Sequence, residues 1–158
     1  MRPSSLTALA GLATAPALSV QPPYAWFLAA GEKRIENRTW RTRYRGWTWI
    51  HASSRPAFPW SDVLHLVIRA GREAGPAVDV ANAAVKTRGA IIGAAYLVDV
   101  LDDDTALAVA PDQDFWISGP ECWRFRSAFF LPAPVAVKGR LNLWSPPAET
   151  LAACLEQL

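Results

Sequence analysis

Hydrophobic residues fall into short blocks along this chain, and proline, glycine or charged residues separate the blocks. Blocks rich in aromatic and β-branched residues predict strands, whereas blocks with helical spacing predict helices. The predicted strands are residues 18–20, 47–52, 89–101, 123–131 and 135–144, the last being a strand or a hairpin. The predicted helices are residues 24–30, residues 61 or 62 to about 74, and residues 148–158.

The segments between these blocks are more polar. Residues 33–38 are predicted to be extended, with Ile35 facing inward, and residues 41–46 to form a loop that turns at Gly46. The three consecutive aspartates at 102–104 predict a solvated turn. The glycine- and alanine-rich residues 75–85 favour no particular element.

The order of these elements predicts an α+β fold. Strands and helices do not alternate as they do in a doubly wound sheet, and no glycine-rich phosphate-binding loop is present. The short strands favour a small β-barrel with flanking helices, and Gly93 predicts a bulge or a sharp bend in one of them.

The length of 158 residues fits one domain with a hydrophobic core. We expect a flexible leader over residues 1–16, a domain over residues 17–145, and a C-terminal helix over residues 146–158 that packs on it. The leader loosely resembles a secretory signal, but Gly11, Thr14 and Pro16 interrupt its apolar run. No run of about 18 apolar residues predicts a membrane-spanning segment.

Charge is distributed unevenly along the chain. Residues 1–60 carry eight basic and two acidic side chains, and residues 61–158 carry eight basic and twelve acidic ones. A basic half on a protein of net charge +2 is typical of a surface that binds an anion. The alternative is that these basic residues pair with the acidic half.

The cysteines and histidines match no disulfide framework and no zinc spacing. Cys122 and Cys154 are too few and too scattered, and His51 and His65 do not complete a ligand set. The consecutive aspartates do not converge easily on one ion. We therefore expect no metal, no cofactor and a reducing, cytoplasmic environment.

Residues 31–53, GEKRIENRTWRTRYRGWTWIHAS, place positive charge beside aromatic surface. Arginines alternate with uncharged residues in the predicted loop, a spacing that suits contacts with successive phosphates, and nearby aromatic rings offer faces for stacking bases. The candidate phosphate contacts are Arg38, Arg41, Arg43 and Arg45, and the candidate stacking faces are Trp40, Tyr44 and Trp47. Against this interpretation, Trp49 is expected in the core, and Glu36 with Arg38 can form an ion pair of purely structural value.

The same stretch resembles the start of an ASCH domain, a PUA-like module, and in particular the version found in transcription coactivators of the activating-signal-cointegrator type. The family pattern Gly-x-Lys-x-x-Glu-x-Arg is met by Gly31, Lys33, Glu36 and Arg38. Near the other end, Trp116, Trp123, LPAP at 131–134 and KGRLNLW at 138–144 resemble the closing segment of such domains.

This resemblance implies a PUA-like β-barrel with a cleft beside the first helix, in which RNA, DNA or a nucleotide-sized ligand binds. Lys33, Glu36 and Arg38 would line the cleft, and Trp40 or Trp47 would stack on a base. Asn37 would contact a base edge, and Trp116 is a further candidate. Similar domains often have Arg-Gln-Pro-Trp where this chain has Gln21-Pro22-Pro23-Tyr24, so a contact made by their glutamine is absent unless Gln21 replaces it.

Two enzymatic alternatives remain open. Small PUA-like relatives hydrolyse N4-acetylcytidine with a lysine and a threonine, and the resemblance places Lys33 at the lysine and Glu36 at the threonine. Glu36 cannot be that hydroxyl nucleophile, but Lys33 and Glu36 can form an acid–base pair if the chain bends near Ile35. A ribonuclease would need His51 or Lys33 as its acid–base group. A binding module without turnover is the preferred interpretation.

Overall fold

The computed structural model describes residues 5–71 and 74–158, and its elements confirm the α+β class. The helices are α1 (Leu6–Ala13), α2 (Tyr24–Ala30), α3 (Trp60–Arg69), α4 (Ala74–Lys86), α5 (Asp103–Val109) and α6 (Ala148–Leu155), with a 3₁₀ turn at Pro111–Trp116. The strands are β1 (Ala17–Val20), β2 (Ile35–Arg38), β3 (Gly46–Ala52), β4 (Ala90–Leu101), β5 (Glu121–Ala136) and β6 (Leu143–Trp144).

The strands form one six-stranded sheet in the order β2-β5-β4-β3-β1-β6. Neighbours are antiparallel except β1 and β3, which are parallel because the chain passes through α2 and β2 between them. β2 and β1 are separated by three strands in this order, yet Arg38 on β2 donates a hydrogen bond of 2.8 Å to the carbonyl oxygen of Ser19 on β1. The sheet therefore curls into a half-barrel whose two margins approach each other.

The pairing of β4 with β5 is irregular. The register of this pair shifts between Ile91 and Gly93, which confirms the predicted irregularity at Gly93. A Cβ atom at Gly93 would overlap the carbonyl oxygen of Phe129, so only glycine lets the two backbones approach this closely.

The two faces of the sheet bury separate hydrophobic clusters. Leu18, Ile50 and Trp123 pack beneath α2 on one face. On the other face Trp49 is fully buried, as expected, in a cluster to which α1 contributes Leu12 and α6 contributes Cys154. Successive residues of β3 thus pack on opposite sides of the sheet.

The segment expected to be a flexible leader contains α1. Ser5 caps this helix by accepting a hydrogen bond from the Ala8 amide, and Leu12 is completely buried. The indole of Trp49 donates to the carbonyl oxygen of Leu12 at 3.1 Å. Hydrophobic burial and this hydrogen bond fix the helix on the sheet, which the composition of the segment does not indicate.

Asp102–Asp104 differ from the predicted solvated turn because they begin α5. The carboxylate of Asp102 accepts a hydrogen bond of 2.7 Å from the Thr105 amide. Asp103 and Asp104 lie in the first turn, where negative charge interacts favourably with the helix dipole.

Some element boundaries also differ from the prediction. α3 ends at Arg69 instead of near residue 74, and the segment without a predicted element lies within α4. β5 continues through Pro132 and Pro134, which lie in the register shift between the pairs Phe130–Gly93 and Val135–Ile91 and have no partner on β4, while β2 has already ended. Proline is tolerated there because an unpaired strand margin needs no amide donor.

None of the helices within residues 5–71 and 74–158 has the length and apolar composition required to cross a membrane.

Candidate functional site

A cleft of about 390 Å³ opens where the two margins of the sheet approach, next to α2 and α3. Its walls come from the end of β1, from β2 and the residue pair before it, and from the 3₁₀ turn with the segment after it. The lining residues are Ser19, Gln21, Tyr24, Lys33, Glu36, Asn37, Arg38, Leu66, Phe115, Trp116 and Ser118. A volume in this range is typical of pockets that bind small molecules, at roughly 300–1,000 Å³.

A network of three charged side chains forms the floor of the cleft. Lys33 Nζ lies 2.6 Å from Glu36 Oε2, and Arg38 Nη2 lies 3.1 Å from Glu36 Oε1. Glu36 and Arg38 share one face of β2 because they are two residues apart, and Lys33 precedes the strand and folds back onto it. Lys33 Nζ also donates to the Ile35 carbonyl oxygen. One carboxylate between two cations leaves a net positive charge in the cleft.

Burial sets the electrostatics of this network. Lys33 is 2% exposed and Glu36 8% exposed. Desolvation lowers the pKa of the Lys33 ammonium from its ordinary value, and the Glu36 carboxylate acts in the opposite direction. Lys33 Nζ also lies 5.6 Å from the ring centroid of Tyr24, whose own pKa is raised by burial and then by Glu36. A lysine in this environment holds its proton less firmly than one in water.

Asn37 fixes the aromatic wall of the cleft. Its Nδ2 donates to the carbonyl oxygen of Trp116 at 2.8 Å, and its Oδ1 accepts from the Ser118 amide at 3.0 Å. The side-chain amide, predicted to contact a base edge, thus holds the segment that carries Phe115 and Trp116.

Two of the tryptophans predicted as stacking faces do not line the cleft. Trp40 packs edge-on against the buried Trp123, with ring centroids 4.6 Å apart. Trp47 lies on the same face of β3 as Trp49, where it contacts Tyr96 and Phe129. Side chains two residues apart on a strand share a face, so the burial of Trp49 beneath α1 carries Trp47 away from the cleft.

The arginines of the 41–45 loop also lie outside the cleft, along an open depression of about 590 Å³. Arg41 pairs with Glu121 at 3.2 Å and donates to the Val100 carbonyl oxygen at 2.9 Å. Arg45 pairs with Asp99 at 2.8 Å.

Arg34 likewise pairs with Asp112. The alternative that basic residues pair with the acidic half therefore applies to Arg34, Arg41 and Arg45. Arg43 is exposed and makes no hydrogen bond or ion pair within the described part of the chain.

His51, predicted as an alternative acid–base group, lies buried in β3. It is 1% exposed, its Nε2 lies 3.0 Å from the Val137 carbonyl oxygen, and burial lowers its pKa. It does not line the cleft. Among residues 5–71 and 74–158, no group of histidine, cysteine and acidic side chains is arranged to hold a metal ion.

The family model of the ASCH domain matches residues 18–126, well over half of the chain. This chain belongs to the ASCH family. It is 28% identical over 127 residues to human (Homo sapiens) activating signal cointegrator 1, a match that covers 80% of this chain but only 21% of the relative. The chain therefore spans about a fifth of the length of that curated relative.

Solved ASCH structures have the same fold. The ASCH protein from Zymomonas mobilis superposes with a TM-score of 0.55 at 14% identity, covering 91% of this chain and 95% of that one. A single-substitution variant of it superposes with a TM-score of 0.53. The half-barrel with flanking helices is thus the PUA-like fold of ASCH proteins.

The geometry explains the spacing of the ASCH pattern. Gly31 ends α2 with a φ of 77°, a left-handed conformation that favours glycine, and so turns the chain towards β2. Lys33, Glu36 and Arg38 then form the charge network of the cleft. The pattern specifies a turn followed by three interacting charges.

Several lining residues of the ASCH cleft were not among the predicted site residues. They are Ser19, Gln21, Tyr24, Leu66, Phe115 and Ser118. Gln21 was noted as a possible substitute for the glutamine of similar domains, and it does line the cleft. Leu66 and Phe115 come from elements distant in sequence, and no local pattern distinguishes them from ordinary surface residues.

Proposed function

We propose that this chain is a nucleic-acid-binding module whose cleft receives a nucleotide or a single base. The observation that carries the proposal is the combination, in one cavity of about 390 Å³, of aromatic rings with a net cationic network. Tyr24, Phe115 and Trp116 offer flat surfaces to a base, and Lys33 and Arg38 offer positive charge to a phosphate.

A cleft of about 390 Å³ favours an unpaired nucleotide over one stacked in a duplex. A base can enter such a cavity only after leaving its stack, which costs least in a single strand or at a mismatched position. The amide of Gln21 and the hydroxyl of Ser118 can satisfy the polar edge of the base. RNA and single-stranded DNA are therefore the first ligands to compare.

The 41–45 loop would contribute through phosphate contacts outside the cleft. Arg43 is free to bind a phosphate, whereas Arg41 and Arg45 must exchange their carboxylate partners for one. We therefore expect Arg43 to make the largest contribution of the three.

Binding can be tested by titration of labelled single-stranded RNA, single-stranded DNA and duplex DNA at about 50 and 200 mM salt. The informative variant is Phe115→Ala, because Phe115 lines the cleft and is 41% exposed. The matched control is Trp60→Ala, an aromatic residue 42% exposed outside the cleft lining.

We expect salt-dependent binding, and a loss of about 1–3 kcal/mol for Phe115→Ala but not for the control. The absence of binding to all three ligands, or equal effects of the two substitutions, would contradict the proposal.

A second candidate function is hydrolysis of N4-acetylcytidine, which the contact of 2.6 Å between Lys33 and Glu36 favours. Glu36 would accept a proton from water as the water attacks the acetyl carbonyl carbon. The carbon–nitrogen bond then breaks, and Lys33 would protonate the departing exocyclic nitrogen, yielding acetate and cytidine.

Incubation with N4-acetylcytidine tests this candidate, with chromatography to measure released cytidine. Lys33→Met should abolish release, whereas Lys138→Met, a substitution of an exposed lysine outside the cleft lining, should not. No release by the wild type would eliminate the candidate.

Shortened RNA in the binding samples would instead support a ribonuclease, for which Lys33 is the remaining predicted acid–base group in the cleft. The cytoplasmic location stays a prediction from the small number and wide spacing of the cysteines in the sequence.

A further inference from the structure

The segment 138–141, Lys-Gly-Arg-Leu, forms a loop between β5 and β6 whose backbone is fixed on the sheet; we call it the KGRL loop. Ser19 Oγ donates to the Arg140 carbonyl oxygen at 2.9 Å. Just before the loop, His51 Nε2 lies 3.0 Å from the Val137 carbonyl oxygen. A Cβ atom at Gly139 would overlap the His51 ring, so glycine permits this close contact.

The side chains of the KGRL loop face solvent although its backbone is held. Lys138 and Arg140 are exposed, and neither forms an ion pair with an acidic residue in the described part of the chain. Leu141 is 89% exposed, although exposing apolar area to water is unfavourable. The loop therefore presents two unpaired cations and an apolar side chain, in contrast to Arg41 and Arg45, whose charges are already paired.

The KGRL loop adjoins the cleft through Ser19. A second depression, of about 330 Å³, is lined by this loop together with Ser19, His51, Ser53 and Ser54. Ser19 lines both this depression and the cleft, and its carbonyl oxygen accepts the hydrogen bond from Arg38 of the charge network. A single-stranded nucleic acid with one nucleotide in the cleft can thus continue directly over Ser19 to the KGRL loop.

We propose that the KGRL loop is a phosphate-binding element for the part of a nucleic-acid strand that extends out of the cleft. Lys138 and Arg140 would each bind a backbone phosphate, the hydroxyl of Ser54 would donate a further hydrogen bond, and Leu141 would contact a neighbouring base or sugar. The ligand class is an extended single-stranded nucleic acid that reaches beyond one nucleotide. This inference rests on the proposed function of the cleft.

The test compares wild-type protein with the double variant Lys138→Ala/Arg140→Ala. The probes are a labelled single-stranded oligonucleotide and the corresponding mononucleotide, each titrated over a range of salt. For the oligonucleotide, we expect the slope of log affinity against log salt to become shallower by about 0.7 per lost phosphate contact. Affinity for the mononucleotide should not change, because it occupies the cleft alone.

Two controls make the result specific. Lys86→Ala/Arg126→Ala removes the same charge from exposed positions that line neither cavity, and it should leave the slope unchanged. Lys138→Arg/Arg140→Lys keeps the charge of the loop and should retain the wild-type slope. Circular dichroism of each variant checks that the exposed substitutions leave the fold intact.

The outcomes separate this inference from the proposed function. Wild-type binding with equal slopes for the KGRL variant and the charge control would overturn the inference and leave the cleft proposal standing. Equal losses for oligonucleotide and mononucleotide would also overturn it, since the loop would then only support the shape of the cleft. Failure of the wild type to bind either probe would overturn both.

Discussion

The charge network of the cleft and the arginines of the 41–45 loop are adjacent in sequence but differ in environment. Lys33, Glu36 and Arg38 are largely buried and pair with one another, whereas Arg41 and Arg45 are more exposed and pair with acidic residues from later in the chain. Buried charges are costly to leave unpaired, while exposed pairs contribute little. Charge that looks uniform along the sequence therefore contributes strongly to stability in one region and little to stability in the other.

The largest expected effect follows from removing the shared carboxylate. Glu36→Gln keeps the shape of the side chain but leaves Lys33 and Arg38 without their counter-charge. Because Lys33 is almost fully buried, we expect the free energy of unfolding to fall by about 3–5 kcal/mol. Urea denaturation at neutral pH measures this loss.

The matched substitution in the exposed region is Asp99→Asn. The side chain of Asp99 is 47% exposed and pairs with Arg45, so its loss should cost only about 0–1 kcal/mol. If the two substitutions destabilise the protein equally, burial does not separate the two regions and the comparison fails.

The next effect is a dependence of the free energy of unfolding on pH that arises from Lys33. Burial lowers its folded-state pKa below the ordinary 10.5, so between these two values the unfolded state binds more protons than the folded state. The stability of the wild type relative to Lys33→Met should therefore rise with pH through this window and level off above it. Each unit by which the pKa is lowered corresponds to about 1.4 kcal/mol.

Urea denaturation of both proteins between about pH 7 and 10.5 measures this difference. A relative stability that falls as pH rises would show the opposite sign, with the attraction of Glu36 outweighing burial. Lys138→Met serves as the control, because Lys138 is exposed and its substitution should add no comparable pH dependence.

The sequence contained enough information for the fold and for the charged part of the site. Lys33, Glu36 and Arg38 were predicted together from their match to the ASCH pattern. The structure gives the physical reason for that pattern: Glu36 and Arg38 share a face of β2, and Lys33 folds back onto it after the turn at Gly31. The irregularity at Gly93 and the burial of Trp49 were also predicted, because glycine within a strand and tryptophan in an apolar strand have few alternatives.

Among the aromatic residues of the cleft, only Trp116 was among the predicted site residues, and it was named from the family resemblance and not from a local pattern. Trp40 and Trp47 were preferred because they lie near the arginines in sequence. Trp40 instead packs against Trp123, and Trp47 lies on the face of β3 that contacts Tyr96, away from the cleft. The rings that do line the cleft include Tyr24 from α2 and Phe115 from the 3₁₀ turn, which only the tertiary fold brings together. Likewise, α1 is stabilised by contacts with Trp49, a residue that lies far from it in sequence.

A smaller effect is expected from the bridge between the two margins of the sheet. Arg38→Lys retains a positive charge near Glu36, but lysine is shorter and lacks the planar guanidinium that reaches both Glu36 and the Ser19 carbonyl oxygen. The loss of one hydrogen bond should lower the free energy of unfolding by about 0.5–1.5 kcal/mol, as measured by denaturation. Arg126→Lys, at an exposed position, is the control. Equal stabilities of the two variants would mean that the bridge contributes nothing.

The smallest effect on stability is expected at Arg43. Its side chain is exposed and makes no contact of hydrogen-bond or ion-pair type with the described residues, so Arg43→Ala should change the free energy of unfolding by no more than about 0.5 kcal/mol. The same substitution should make the salt dependence of oligonucleotide binding shallower by about 0.7–0.9, the value of one phosphate contact. Denaturation and titration of the same preparation measure both quantities. A loss of stability without a change in salt dependence would contradict the division between the two regions, because Arg43 would then act within the fold instead of on the ligand.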